Sequence, residues 1–298
     1  MPSRNSIHSV PAQHSARRKL SVLAPCIFTV GRICCGFFVI IATFRAVQDF
    51  AGAATAAWAL ARFDNATKAI GLALVFDILD GSVSRLLGSA SNLGVELDSL
   101  ADVVAFGMPS AVLVFFWGVD LIPLGGNVLL HGVFMVAAGL VCCLFITAAV
   151  FRLARFNLQA LAPDDSDQRF FVGLPVPAAA AVIAAVIHFL KHPLRLPGVG
   201  LMWLVLTSVL ALLMVSRIRY ETSGLVPVRF RTPYFWLPFL ALFACALWFY
   251  SELVILVTVL GFVVSGPLGY AGSRRRRFER GSLSSGDEQD EHGNTFRA

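Results

Sequence analysis

The fold of this chain is decided by the segment Asp77-Ile-Leu-Asp80-Gly-Ser-Val-Ser-Arg, which continues eight residues later as Gly-Val-Glu-Leu-Asp98-Ser-Leu-Ala-Asp102. The four aspartates lie in a strongly apolar part of the sequence, where a carboxylate is costly and usually marks a functional site. Asp77 and Asp80 are three residues apart, and Asp98 and Asp102 are four apart. Each pair therefore falls on one face of a predicted helix.

The two aspartate pairs are separated by residues 88–92, a run of small polar residues that is typical of a turn. We therefore predict an antiparallel helical hairpin in which the four carboxylates converge. Four like charges cannot share a low-dielectric site unless divalent cations or protons compensate them. Because every ligand is an oxygen atom, the pattern favours Mg²⁺, Mn²⁺ or Ca²⁺ over zinc.

The composition indicates a membrane protein. Of the 298 residues, 57% are hydrophobic and 14% are charged, whereas soluble domains carry about 25% charged residues. No small-residue cleavage site follows the first apolar run, so we interpret that run as a retained span. The net charge of +6 lies mostly in loops and tails, which predicts contact with anionic lipid and not with nucleic acid. The six cysteines form no C-x-x-C pair and are expected to be reduced, buried hydrophobes.

Eight apolar segments approach the ~20 residues that a helix needs to cross a bilayer. We therefore predict an all-α, polytopic membrane protein with about eight transmembrane helices. The last two segments are joined by almost no loop, which predicts a tight hairpin. The predicted spans are residues 27–44, 69–87, 93–117, 128–151, 174–190, 199–215, 235–250 and 253–270.

The distribution of arginine predicts the orientation of these spans. If the basic N-terminal segment is cytoplasmic, the arginine-rich loops after spans two, four and six and the basic run that begins at Arg274 share its side. This asymmetry obeys the positive-inside rule, so the aspartate hairpin is expected to open toward the cytoplasm. The first loop is an exception that the rule does not explain, because it contains Arg45, Arg62 and Lys68.

The motif D-x2-D-G-x2-S-R-x8-G-x3-D-x3-D resembles the signature of the CDP-alcohol phosphotransferase family, with Ser84 where the family usually has alanine. Seven fixed positions across 26 residues make a chance match implausible. The sequence of residues 96–102, followed by Phe106-Gly107, is similar to that of the phosphatidylserine synthase branch of the family. Residues 152–157, 171–180 and 214–220 also match that branch, so the resemblance runs from about Pro25 to the final apolar segment.

The resemblance implies an integral-membrane enzyme that forms phosphatidylserine and CMP from CDP-diacylglycerol and L-serine. It also implies that Asp77, Asp80 and Asp98 hold Mg²⁺ or Mn²⁺. Asp102 would be the general base and would touch a metal as well. The remaining implied residues are Gly81, Ser84, Arg85 and Gly94 for CDP-diacylglycerol, and Arg152, Arg155 and Asn157 for serine.

Pro25, Thr29 and Arg32 resemble a P-x3-T-x2-[R/N] pattern at the start of the family's first span. Arg32 lies about one turn inside an apolar helix, so one interpretation is that it faces a polar cleft. The alternative is an arginine that extends its side chain to the membrane interface. Both interpretations fit the sequence.

The chain is expected to divide into a cytoplasmic polar segment (residues 1–24), a transmembrane catalytic domain (25–271) and a disordered basic, then acidic, tail (272–298). We expect a homodimer in the bacterial cytoplasmic membrane, with the active site facing the cytoplasm. Two functional alternatives remain open. One is a family member that uses glycerol phosphate, inositol phosphate or choline, and the other is a secondary transporter with intramembrane carboxylates, although no internal repeat supports it.

Overall fold

The computed structural model of the protein describes residues 12–52, 56–87, 92–122, 128–161, 171–194, 196–220, 252–267 and 269. These residues are almost entirely helical. Two short π-helical segments, Val103–Gly107 and Phe116–Asp120, follow α3 and α4, so that residues 92–120 are helical throughout. The α-helices are α1 (Ala12–Ala51), α2 (Ala56–Leu87), α3 (Asn92–Asp102), α4 (Met108–Phe115), α5 (Val128–Leu161), α6 (Val176–Leu190), α7 (Pro197–Val215) and α8 (Glu252–Pro267).

Within the described residues, four helical stretches are long and apolar enough to cross a membrane: Ile27–Ala51, Glu96–Asp120, Val128–Leu158 and Pro197–Val215. The protein is therefore an all-α integral membrane protein, as its composition predicts. The helices α6 and α8 are apolar but shorter. The predicted span at residues 235–250 lies outside the described residues.

The second helix begins at Ala56, well before residue 69, where the sequence predicts the start of the span. Its first turns carry charged residues that argue against a buried helix, but in the structure these charges are paired. Arg62 Nε lies 2.5 Å from Asp49 Oδ2, and Lys68 Nζ lies 2.6 Å from Asp64 Oδ2. The other oxygen of Asp64 lies 2.6 Å from His188 Nδ1 of α6. Each of these charged side chains thus has a partner of opposite charge within the described residues.

The backbone of the first helix approaches that of the first π-helical segment closely at Gly36. A Cβ atom at this position would lie 2.6 Å from Ala105 Cα and 2.8 Å from Val104 O of the first π-helical segment. Only glycine allows two backbones to pack this closely. Arg32 lies one turn before Gly36 on the same helical face, and Asp102 immediately precedes the π-helical segment. Because Gly36 has no side chain, α1 can pack close enough to place Arg32 beside Asp102.

The aspartate hairpin is supported by a core of apolar side chains below it. Fully buried residues come from α1, from the first π-helical segment, from α5 and from α6: Val39, Phe106, Phe145 and Ile183. Interiors of this kind are close-packed and hold the helices in fixed register. The polar cluster at the end of α2 and α3 is therefore attached to a rigid support.

The chain segments after α5 and α7 are joined by a small strand pair. β1 (Phe171–Val172) and β2 (Arg219–Tyr220) are antiparallel, with Phe171 opposite Tyr220. Gly173 follows β1 with φ of +88°, a left-handed conformation that favours glycine. Its amide donates to Ile218 O at 2.8 Å, so the connection into α6 is tied to the end of α7.

Candidate active site

Three of the four aspartates converge in the structure. One carboxylate oxygen from each of Asp77, Asp98 and Asp102 lies within 4.8 Å of the others. Asp77 comes from α2 and the other two from α3, as the predicted hairpin requires. The side chain of Asp98 is 53% exposed, that of Asp77 28% and that of Asp102 10%. The cluster therefore has an open side at Asp98 and a buried end at Asp102.

Asp80 lies beside this group and has its own partner. Thr29 Oγ1 of α1 donates a hydrogen bond to Asp80 Oδ2 at 2.6 Å. Asp80 is almost fully buried, and it follows Asp77 by three residues on the same face of α2. The hydroxyl of Thr29 occupies one oxygen of Asp80, which leaves the second oxygen as the one that can face a ligand.

The centre of the cluster is occupied by Arg32. Its side chain is fully buried, which excludes the alternative in which it reaches the membrane interface. Arg32 Nη1 donates to Asp102 Oδ1 at 3.0 Å and also to Asp77 Oδ1. Arg32 Nη2 donates to Asp98 Oδ1 at 2.5 Å. A single guanidinium from α1 thus contacts all three converging carboxylates, and the polar-cleft interpretation is confirmed.

The three carboxylates fit a divalent cation by charge and by geometry. Mg²⁺ binds oxygen at about 2.1 Å in octahedral geometry, so ligands on opposite sides of the ion are about 4.2 Å apart. A spread of 4.8 Å needs only a small contraction to reach that value. Three carboxylates and one guanidinium also leave two uncompensated negative charges. Oxygen ligands and this residual charge suit Mg²⁺ or Mn²⁺.

Two of the residues expected to bind CDP-diacylglycerol lie within one helical turn of the aspartates. Gly81 is half-buried in α2, one turn after Asp77, and Gly94 is exposed in α3, one turn before Asp98. Neither glycine places a side chain over the carboxylates. Ser84 and Arg85 belong to the last turn of α2, but their side chains lie outside the described part of the structure.

Of the residues expected to bind serine, Arg152 lies near enough to the aspartates to interact with their charge. It lies on α5, is almost fully buried, and the nearby carboxylates are those of Asp102 and Asp77. Its Cζ atom lies 6.0 Å from the ring centroid of Phe156, within the range of a cation–π contact. In the part of the chain that the structure describes, the guanidinium of Arg152 forms neither a hydrogen bond nor an ion pair.

Arg155 and Asn157 contact other parts of the protein. Arg155 donates to Val215 O and to Ser216 O, each at 3.2 Å, where a cation satisfies the last carbonyls of α7. Ser99 Oγ donates to Asn157 Oδ1 at 3.0 Å, which joins α3 to α5 next to Asp98. These contacts indicate that both residues position helices around the site.

Comparison with known proteins gives the family. A model of the CDP-alcohol phosphatidyltransferase family matches residues 22–215. This chain is a member of that family. The match covers all four aspartates, both glycines and the three residues expected to bind serine.

Several curated relatives in the CDP-alcohol phosphatidyltransferase family carry the name CDP-diacylglycerol–serine O-phosphatidyltransferase. The one from Helicobacter pylori (strain J99) is 37% identical over 154 residues, which is 49% of this chain and 56% of the relative. The one from Mycobacterium leprae is 33% identical over 217 residues, 69% of this chain and 65% of the relative. The one from Saccharomyces cerevisiae is 35% identical over 127 residues, 41% of each. The chain thus spans about half to two thirds of the two bacterial relatives.

Two contacts of this family member were not predicted from its sequence. Thr29 is part of the pattern at the start of the first span, but its bond to Asp80 depends on how α1 packs against α2. Ser99 lies one residue after Asp98 and bonds to Asn157 across 58 positions of sequence. The only sequence signal for either is a small hydroxyl residue within one turn of a functional residue.

Proposed function

We propose that the protein transfers a phosphatidyl group from CDP-diacylglycerol to the hydroxyl of L-serine and releases CMP. The observation that carries this proposal is the convergence of Asp77, Asp98 and Asp102 in a membrane-embedded helical bundle. Relatives named for this reaction, 31% to 37% identical to the chain, support the choice of serine.

The reaction forms one phosphorus–oxygen bond and breaks another. The serine oxygen attacks the phosphorus that is bonded to the diacylglycerol oxygen, and the bond from that phosphorus to the CMP oxygen breaks. A divalent cation, Mg²⁺ or Mn²⁺, would neutralise the negative charge of the diphosphate as CMP departs. We assign the hydroxyl proton to Asp102, and the cation ligands are Asp77, Asp80 and Asp98, with Asp102 as a further contact.

The lipid nucleotide enters, in this proposal, from the open side of the cluster. Gly81 follows Asp77 by one helical turn and Gly94 precedes Asp98 by one turn, and because neither has a side chain, the diphosphate could approach the helix backbones there. Ser84 and Arg85 follow Gly81 on the last turn of α2, and we assign them to the same site. A guanidinium at position 85 suits a phosphate oxygen because it donates two parallel hydrogen bonds.

Arg152 is the proposed contact for the serine carboxylate. A free amino acid brings a negative charge to a site that already contains several carboxylates, so a cation must face it. Arg152 is buried, lies close enough to Asp102 for their charges to interact, and forms no hydrogen bond within the described residues. Arg155 and Asn157 would support this pocket by holding α7 and α3 against α5.

Lysine substitutions at Arg152 and at Arg155 should distinguish serine binding from the positioning of helices. We expect Arg152→Lys to raise the KM for serine by about tenfold or more, because a charge-assisted hydrogen bond contributes about 1.5–3 kcal/mol. The KM for CDP-diacylglycerol should change much less. Arg155→Lys is the matched control, and we expect it to lower the melting temperature with little effect on the serine KM. Equal effects of Arg152→Lys on both substrates would instead make Arg152 a phosphate contact.

We propose eight spans, with the catalytic domain at residues 25–271 between a cytoplasmic segment (1–24) and a C-terminal tail (272–298). The proposed location is a bacterial cytoplasmic membrane, with the aspartate cluster facing the cytoplasm and the protein as a homodimer. The excess of arginine on one side of the predicted spans supports this orientation.

Cysteine labelling tests this topology. In a variant without its six native cysteines, single cysteines at positions 90, 165 and 225 should react only with reagent on the cytoplasmic side. A cysteine at position 120 should react only from the other side. Labelling of position 225 from the same side as position 120 would contradict the eight-span arrangement.

The proposed activity is tested by following CMP. Purified protein in mixed micelles with CDP-diacylglycerol and Mn²⁺ should release CMP only when serine is added, with one phosphatidylserine formed for each CMP. CMP release that is independent of serine would mean that the chain hydrolyses the nucleotide or uses another acceptor.

A further inference from the structure

We propose that Arg32 is an internal cation that occupies the metal position of the aspartate cluster when no metal is bound, and that it yields this position to the divalent cation. The inference rests on the proposed metal site and adds a residue to which neither the sequence motif nor the names of the relatives give a role. It assigns Arg32 to the control of metal affinity.

The guanidinium of Arg32 lies between the three carboxylates. Arg32 Nη1 lies between Asp77 and Asp102, and Nη2 lies 2.5 Å from Asp98. Asp77, Asp98 and Asp102 are also the three residues whose carboxylate oxygens lie within 4.8 Å of one another. A cation about 2.1 Å from an oxygen of each residue would lie in the space between them, and the guanidinium of Arg32 fills that space. The two positive groups therefore cannot occupy the centre of the cluster together.

Arginine is the type of residue that suits this position. Arg32 is fully buried, and a guanidinium stays charged in proteins where a lysine can lose its proton. Its planar guanidinium contacts three carboxylates at once. Arg32 Nη2 also donates to the main-chain oxygen of Asp98 at 3.3 Å. Without this charge, Asp77, Asp98 and Asp102 would repel one another in a low-dielectric site. Arg32 thus keeps the ligands assembled before the metal arrives.

Arg32 is incompletely hydrogen-bonded in this position. Its Nε atom is buried and has no hydrogen-bond partner among the described residues, although buried donors are almost always paired. The guanidinium is therefore held by charge and not by a complete set of hydrogen bonds. A divalent cation carries more charge and suits carboxylate oxygens, so it can displace the guanidinium from the centre.

The position of Arg32 on α1 links this exchange to helix packing. Gly36, one turn later, fixes α1 against the first π-helical segment, so the helix cannot withdraw without losing that contact. We therefore place the movement in the side chain of Arg32 and not in α1. The released guanidinium remains close to the cluster, where it offsets negative charge as the substrate diphosphate enters.

Mn²⁺ binding to Arg32 variants tests the inference directly. Wild-type protein, Arg32→Gln and Arg32→Lys are titrated with Mn²⁺ in micelles without substrate, and free Mn²⁺ is measured by its paramagnetic resonance signal. We expect Arg32→Gln to bind Mn²⁺ at least about tenfold more tightly than wild type, because a competing positive charge a few ångströms away has been removed. Arg32→Lys should be intermediate. Arg62→Gln removes a remote arginine–aspartate pair and should bind as wild type does.

Melting temperatures with and without metal complete the test. In chelator, Arg32→Gln should melt below wild type, and Mn²⁺ should raise its melting temperature by more than it raises that of wild type. The result that overturns the inference is a weaker or unchanged Mn²⁺ affinity in Arg32→Gln, since Arg32 would then only brace the ligands. If Arg32→Gln does not fold in chelator, Arg32→Lys gives the same comparison. Absence of Mn²⁺ binding in every variant would instead overturn the proposed metal site, and this inference with it.

Discussion

Asp77→Asn and Asp98→Asn should each reduce turnover by about 10³-fold or more. Either change removes a charge from the proposed metal site while it preserves the shape of the side chain. The stabilisation of the departing CMP by a bound cation is worth several kcal/mol, and about 4 kcal/mol corresponds to a thousandfold in rate. Because the loss is in the transition state, a saturating concentration of CDP-diacylglycerol should not restore activity. Initial rates of CMP release over a range of Mn²⁺ concentrations provide the measurement.

Asp120→Asn is the matched control for these variants. Asp120 ends the second π-helical segment, far along the same helical stretch from Asp98, and it is outside the three-carboxylate cluster. Its replacement should leave the rate within about twofold, because Asp120 is not part of the carboxylate cluster. The fold should also persist, since substitutions away from buried networks usually change the free energy of unfolding little. Wild-type activity that persists in excess chelator would contradict the metal assignment.

Asp102→Asn should reduce turnover by about 10²–10⁴-fold, the range that a positioned general base contributes. Binding of CDP-diacylglycerol should be largely preserved, because Asp102 lies at the buried end of the cluster, away from the open side at Asp98. Turnover and nucleotide-lipid affinity are measured separately, by single-turnover kinetics and by equilibrium binding. Near-normal turnover would remove Asp102 from the proton transfer, and complete loss of binding would make it chiefly a metal ligand.

The local part of this site could be predicted from sequence. The spacing of Asp77, Asp98 and Asp102 in two helices depends only on helical periodicity and on a short turn, which are local properties. The apolar composition likewise predicts helices that span a membrane. The structure confirms a helical bundle in which three carboxylates meet.

The contacts between distant helices could not be predicted in the same way. The location of Arg32 depends on the close approach of α1 at Gly36, and a lone glycine in an apolar helix does not identify its neighbour. Arg155 follows Arg152 by three residues, so periodicity assigns both to one role. The hydrogen bonds of Arg155 to Val215 O and Ser216 O at the end of α7 distinguish it from Arg152.

The paired charges at the start of α2 show the same limit. The charged residues around Arg62 and Lys68 are typical of a loop when they are considered without the aspartates that pair with them. Asp49 is 13 residues from Arg62 and His188 is 124 residues from Asp64, and both pairs form only after the helices pack. A local sequence pattern does not show the partners of Arg62 and His188, whereas the pair of Lys68 with Asp64 is four residues apart within α2.

The central claim is tested most directly by asking which alcohol receives the phosphatidyl group. Purified protein is incubated with CDP-diacylglycerol, Mn²⁺ and an equimolar mixture of labelled serine, glycerol phosphate, inositol phosphate and choline, and the labelled lipids are identified. Asp98→Asn serves as the inactive control. The account predicts phosphatidylserine as the main labelled lipid from wild type, with none from the control. A different phosphatidyl alcohol would overturn the assignment of serine, and label in lipid from the Asp98→Asn variant at the wild-type rate would contradict catalysis at the aspartate cluster.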